Sequence, residues 1–198
     1  MGISGMLLVI FLTLHLAINL TSLISREAYE SAWLFVKGHM WFQIFLSVLV
    51  LGFLLHIIYG MVVTIRNSKR LKTNLNDKNN TMNKTLFKSM VSLGVIVIGL
   101  LVLHLTQFWV KIELNGETPY NIAKTLFYNG FYVAIYVIWI IALFFHLSRG
   151  LWNMFESLNI ENNKFISRLQ IASKIFSVVI SCGFILIPVY FYLGFGYV

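Results

Sequence analysis

Along the chain, long apolar stretches alternate with short polar ones. Residues 1–25, 40–65, 89–110, 125–148 and 175–198 contain no Asp, Glu, Lys or Arg. An α-helix rises about 1.5 Å per residue, so roughly 20 apolar residues cross the hydrocarbon core of a bilayer, and every run reaches that length. Backbone groups in lipid must be satisfied within their own segment, which selects helices; the alternating pattern of a spanning β-barrel is missing. The pattern predicts an all-α integral membrane protein. Its single transmembrane domain, residues 1–198, has five helices over approximately 1–25, 40–66, 88–111, 125–149 and 172–196. The first run lacks the basic start and small-residue cleavage site of a signal peptide and stays apolar too long for one, so it is kept as a spanning helix. It begins with no polar segment before it, and the expectation is that a short native N-terminus is missing.

Composition agrees: 59% hydrophobic residues, 11% charged and a mean hydropathy of +0.81 exceed what a soluble core can hide. The net charge of +8 could suggest nucleic acid, but the cations are sorted by side. Arg66, Lys69, Arg70, Lys72, Lys78, Lys84 and Lys88 lie between the second and third runs, and Arg149, Lys164, Arg168 and Lys174 between the fourth and fifth. The opposite connections carry only Arg26, Lys37, Lys111 and Lys124. By the positive-inside rule the first group is cytoplasmic, as is the N-terminus, and the C-terminus is outside. The same excess could dock an acidic partner face or anionic lipid. The longest connection, SKRLKTNLNDKNNTMNK (68–84), reads as polar and mobile. No soluble domain, sequence repeat, nucleotide-binding glycine loop or Ser/His/Asp arrangement is visible. Cys182 lies alone within the last run and forms no internal disulfide.

Histidines carry the chemistry. An imidazole in an apolar span needs a partner for each ring nitrogen, yet His15, His56, His104 and His146 stand in LTLHLAI, FLLHIIYG, LVLHLTQ and LFFHLSR. His56 and His146 precede Arg66 and Arg149 on inward-running helices, so they share the cytoplasmic half. His15 and His104 precede Arg26 and Lys111 on outward-running helices and share the outer half. A pair of imidazoles from two facing helices at one depth is what a haem iron needs for its two axial positions, and filling both leaves electron transfer as the role. The expected bundle therefore surrounds two haems. Interhelical hydrogen bonding is the competing reading for any single histidine. A proton or ion path would recruit intramembrane Asp or Glu, and structural zinc would need further ligands. Gly60 and Gly150 follow His56 and His146 by one turn, where a missing side chain leaves room for a flat macrocycle; ordinary glycine packing explains the spacing equally. Trp41, Trp109, Trp139 and Trp152 read as an interfacial belt. Arg149 reads as a boundary marker, with a haem propionate the other possible partner.

With these features the chain resembles the membrane anchor, or cytochrome b subunit, of succinate dehydrogenases and fumarate reductases of the single-anchor, two-haem type, most like the Bacteroidetes branch. The resemblance covers nearly the whole chain. It rests on five helices, one histidine in each of the first four at separations of 41, 48 and 42 residues, the opening SGMLLVIFLTLHLAINL, and FFHLSRGLWNMFE after the fourth histidine. It implies two b-type haems, the inner on His56 and His146 and the outer on His15 and His104. It also implies flavoprotein and iron-sulfur partner subunits, carrying FAD and the clusters, on the cytoplasmic face of a bacterial inner membrane, with the C-terminus periplasmic. The chain would pass electrons to or from a quinone, by resemblance menaquinone, and would hold no dicarboxylate site. The family's quinone site lies near the outer haem beside an acid, for which Glu27 and Glu30 are the candidates and His39 a remoter one; solvated loop charge is the alternative. The acid some relatives carry in the helix of the last ligand is absent, which puts proton coupling in doubt. Two competing functions remain: the anchor of another quinone-linked respiratory oxidoreductase, and a haem or small-molecule transporter.

Overall fold

The computed structural model describes the backbone of residues 2–73, 78–156 and 163–197, and the side chains of 2–66, 90–154 and 166–196. In chain order the helices are α1 (Gly2–Leu20), α2 (Arg26–Lys37), α3 (Met40–Thr73), α4 (Lys78–Gln107), α5 (Trp109–Asn115), α6 (Pro119–Phe127), α7 (Gly130–Glu156) and α8 (Asn163–Tyr192). Single 3-10 turns cover Thr21–Leu23 and Phe195–Tyr197, and no strand occurs among the described residues. Among the described residues five segments are long and apolar enough to cross a membrane: Gly2–Leu23, Met40–Arg66, Met90–Asn115, Gly130–Met154 and Ile166–Tyr192. The protein is thus an all-helical chain with the make-up of a multi-pass membrane protein.

Several boundaries differ from the pattern-based ones, for local reasons. The fourth span starts at Gly130 rather than residue 125, because 119–127 form a separate helix. Thr118 caps α6 by accepting from the Asn121 N–H, and Pro119 occupies its first turn. Asn129 then accepts from the Phe131 N–H across the turn into α7. At the end of the third span the helix is interrupted at Phe108, whose ψ of −64° and φ of −107° set α5 off from α4. Gly116 closes α5 in the left-handed conformation, φ 66°. On the other side of the molecule α3 and α4 continue through most of the stretch expected as a mobile connection, leaving 74–77 outside the described residues. The side chains of Lys69, Arg70, Lys72, Lys78, Lys84, Lys88 and Lys164 also lie outside them.

The first four spans form a ring. α1 packs on α3 and α7, and α4 packs on α3 and α7, so α1 stands opposite α4, and α3 opposite α7. α8 lies outside the ring, against α7 and α1. Its approach to α1 is close: a Cβ at Gly183 would stand 2.8 Å from Leu16 Cδ2. Buried residues concentrate on α6, α7 and α8, while α3 contributes only Leu49 and Gly52 among its described side chains and exposes Ile44, Leu51, Leu54, Ile58 and Ile65. A soluble protein would hide such a face; a spanning one turns it to lipid.

The connections expected to be plain loops at the α1 C-terminal end instead build a cap from α2, α5 and α6. Ser25 caps α2 by accepting from the Ala28 N–H. The Tyr29 hydroxyl donates to Asn19 Oδ1 at 3.1 Å, tying α2 to α1. Lys37 pairs with Glu113 of α5 at 3.1 Å. The Tyr120 hydroxyl donates to the Gly196 carbonyl at 3.2 Å, and its ring packs on fully buried Phe191.

Candidate paired-histidine sites

The ring of spans brings the four histidines together in two pairs across its diagonals. His15 of α1 and His104 of α4 have ring centres 5.9 Å apart with planes at 88°. His56 of α3 and His146 of α7 have ring centres 6.2 Å apart at 77°. The helix contacts give the two levels. A Cβ at Gly5 of α1 would stand 3.9 Å from His56 Cε1, and one at Gly94 of α4 would stand 3.8 Å from His146 Cε1. His15 follows Gly5 by ten residues and His104 follows Gly94 by ten, so at about 1.5 Å per residue the levels are roughly 15 Å apart on both helices.

The same spacing relates four positions of the first two spans to four of the next two. Gly5, His15, His56 and Gly60 in the first two spans correspond to Gly94, His104, His146 and Gly150 in the next two. Each histidine pair joins corresponding residues of the two units. The correspondence is confined to these four positions.

The two pairs have different surroundings. His15 stacks on Phe11 at 5.3 Å and meets Phe184 at 5.9 Å. His104 is flanked by Phe108, Trp139 and Tyr136 at 4.9, 5.5 and 6.2 Å. Its Nδ1 lies 3.5 Å from the Tyr136 hydroxyl, which donates to Gln107 Oε1 at 2.8 Å. At the other level Nδ1 of His56 and of His146 are both buried without a hydrogen-bond partner. A Cβ at Gly150, one turn beyond His146, would meet nothing within 4 Å.

Trp139 does not belong to an interfacial belt. It sits ten residues into α7 against His104, and its Nε1 is buried without a partner. Trp41 and Trp109 are exposed at span ends as expected, and Trp152 lies near the α7 C-terminus. Tyr136 and Gln107 were missed in the sequence, where a Tyr among YVAIYVIWII gives no sign of the helix it faces.

Glu27 and Glu30 both lie in the first two turns of α2. Glu30 is paired with Arg26 at 2.9 Å. Glu27 is exposed, and hydrogen bonding to its own backbone N–H and then to the Ser25 side chain holds its carboxyl below the usual range. The helix that carries them is joined to α1 by the Tyr29–Asn19 bond, Asn19 being one turn beyond His15. His39 lies apart, exposed, with its Nδ1 against the Phe35 carbonyl.

The donor set fits one kind of group. Among the described residues no three His, Cys, Asp or Glu side chains come together as a metal site, so each pair offers two nitrogens only. That suits a metal that brings its own equatorial ligands. A metal–imidazole bond is about 2 Å; two in line, with each nitrogen offset from its ring centre, place the ring centres about 6 Å apart, close to both observed separations. At the His56/His146 level Gly5, Gly94 and Gly150 stand in place of larger side chains beside the pair. No protein-family model, curated protein or solved structure matches the chain.

Proposed function

We propose that the chain is a dihaem cytochrome b membrane anchor of a succinate dehydrogenase or fumarate reductase, passing electrons between an iron-sulfur subunit and a membrane quinone, with menaquinone the expected one. The observation that carries this reading is the diagonal pairing of His15 with His104 and His56 with His146 at centre separations of 5.9 and 6.2 Å. A bound b-type haem would supply one-electron redox chemistry, and the residues that would hold it are the two histidines of each pair.

The chain's own residues do the rest. His56 and His146 would hold the group toward the cationic end, and His15 and His104 the group toward the capped end. Phe11, Phe108, Phe184 and Trp139 exclude water around the second pair. Gly5, Gly94 and Gly150 leave space beside the first. The cation distribution favours an orientation with the His56/His146 level toward the cytoplasm, the N-terminus on that side and the C-terminus in the periplasm of a bacterial inner membrane. The FAD-bearing and cluster-bearing subunits would dock on the cytoplasmic face. Glu27 and Glu30 sit in the cap at the His15/His104 end and are the acids proposed for quinone chemistry.

The test is haem content and the reduced-minus-oxidised spectrum of detergent-purified chain, alongside His56→Ala and His15→Ala. Two b-type haems per chain, with each substitution removing a different one, is the expected result. Well-folded protein without haem would overturn the reading and favour a transporter.

A further inference from the structure

We infer that Tyr136 is a positioning residue that fixes the proton of His104 on Nδ1 and presents Nε2 as the ligand nitrogen; this rests on the reading of His15 and His104 as an axial pair. A phenol has one proton to give. Tyr136 gives it to Gln107 Oε1 at 2.8 Å, so toward His104 Nδ1, at 3.5 Å, its oxygen can only accept. A proton on Nδ1 leaves the lone pair on Nε2. The same bond increases the electron donation of a ligating imidazole, as acceptors beyond the ligand shell do elsewhere.

The phenol is held for this purpose. Tyr136 is buried, its ring packed on Phe127 at 5.0 Å and Trp139 at 5.5 Å. Gln107 is the last residue of α4, immediately before the break at Phe108. The break does not disturb the bond from the Phe108 N–H to the His104 carbonyl, 2.9 Å, so His104 and Gln107 stay on one turn, three residues apart. Among the described residues no such arrangement exists at the other level, where Nδ1 of His56 and of His146 has no hydrogen-bond partner. The two sites would therefore differ in ligand strength even though each is built from two histidines.

The alternative amide orientation makes the opposite prediction. With the Gln107 side chain turned over, its NH2 would donate to Tyr136, whose proton would then point at His104 Nδ1 and leave the lone pair on the wrong nitrogen.

The deciding experiment compares the full chain with Tyr136→Phe and Gln107→Leu. In a redox titration of the purified protein, the Tyr136→Phe variant should keep two haems. One midpoint potential should move upward, because a less basic ligand favours the reduced iron, and the other should stay fixed. Gln107→Leu should move the same potential in the same direction by less. A downward shift, no shift, or movement of the haem lost in His56→Ala would overturn the assignment. Histidine-labelled 15N solid-state NMR supplies a reading that does not need haem. In unloaded chain one histidine besides His39, whose Nδ1 lies against the Phe35 carbonyl, should show a hydrogen-bonded Nδ1–H that weakens in Tyr136→Phe, and an unprotonated Nδ1 on His104 would overturn the inference. Protein that never binds haem would sink the proposed function, while the NMR result would still decide the tautomer.

Discussion

The two ends of the bundle solve the same chemical problem with different packing. Around His15 and His104 the chain supplies five aromatic rings, a Tyr–Gln bond and a lid of α2, α5 and α6 clamped by Phe191, Tyr120 and Tyr29. Around His56 and His146 it supplies glycines, open space and two unpartnered ring nitrogens. The capped end is dense with side-chain contacts around its histidines. The other end is less filled beside its pair. The difference teaches where stability comes from: the cap should carry the fold, and the histidine level near the cations should depend on what binds there.

The strongest way to break this comparison is to empty the cap. Phe191 is fully buried against Tyr120, Phe127 and Tyr190, so Phe191→Ala should cost about 3–5 kcal/mol, read as a large drop in melting temperature in detergent. A pair of glycine substitutions sharpens it. Gly183→Leu drives a side chain into Leu16 and should cost about 1–3 kcal/mol. Gly150→Leu has open space to enter, so its melting temperature without haem should be unchanged while haem retention on His56 and His146 falls. Equal loss of stability in both would erase the distinction between the ends.

A third effect is pH-dependent. Burial raises the Tyr29 phenol from 10.0 to about 12, so the folded chain favours its neutral form. That contribution is fully present below pH 10 and is lost as pH rises through about 12. Thermal melts should show an alkaline decline that Tyr29→Phe flattens, though the variant also loses the Asn19 bond. The smallest effect belongs to the exposed Arg26–Glu30 pair: Arg26→Ala should change stability by only about 0.3 kcal/mol, within the scatter of most melts.

The spans and the partition of histidines by depth were legible because both follow from where charge is absent. Charge-free runs fix length, and position within consecutive runs of opposite direction sorts the histidines into two levels. The cap was not read from the same signals, although its cues were present: SREAYES carries a helix start at Ser25, and ETPYNIAK places Thr118 and Pro119 at cap and first turn. These segments were too short and polar to register beside the long apolar runs. Trp139 was assigned to a belt because tryptophan is common at interfaces, and only the packing of α4 on α7 shows it against His104. Gly5 and Gly94 could not be singled out either, since their role depends on a histidine of the following span. Register between helices is a three-dimensional quantity that a single chain's apolar pattern does not encode.

The central claim is that the histidines act as two crossed pairs, each holding one haem. Haem-to-chain ratios of double variants test it most directly. His15→Ala with His104→Ala should lose one haem, no more than either single substitution, and His56→Ala with His146→Ala should lose the other. His15→Ala with His56→Ala should lose both. Loss of both haems from a variant changed only within one pair, or retention of one when both pairs are broken, would contradict the account.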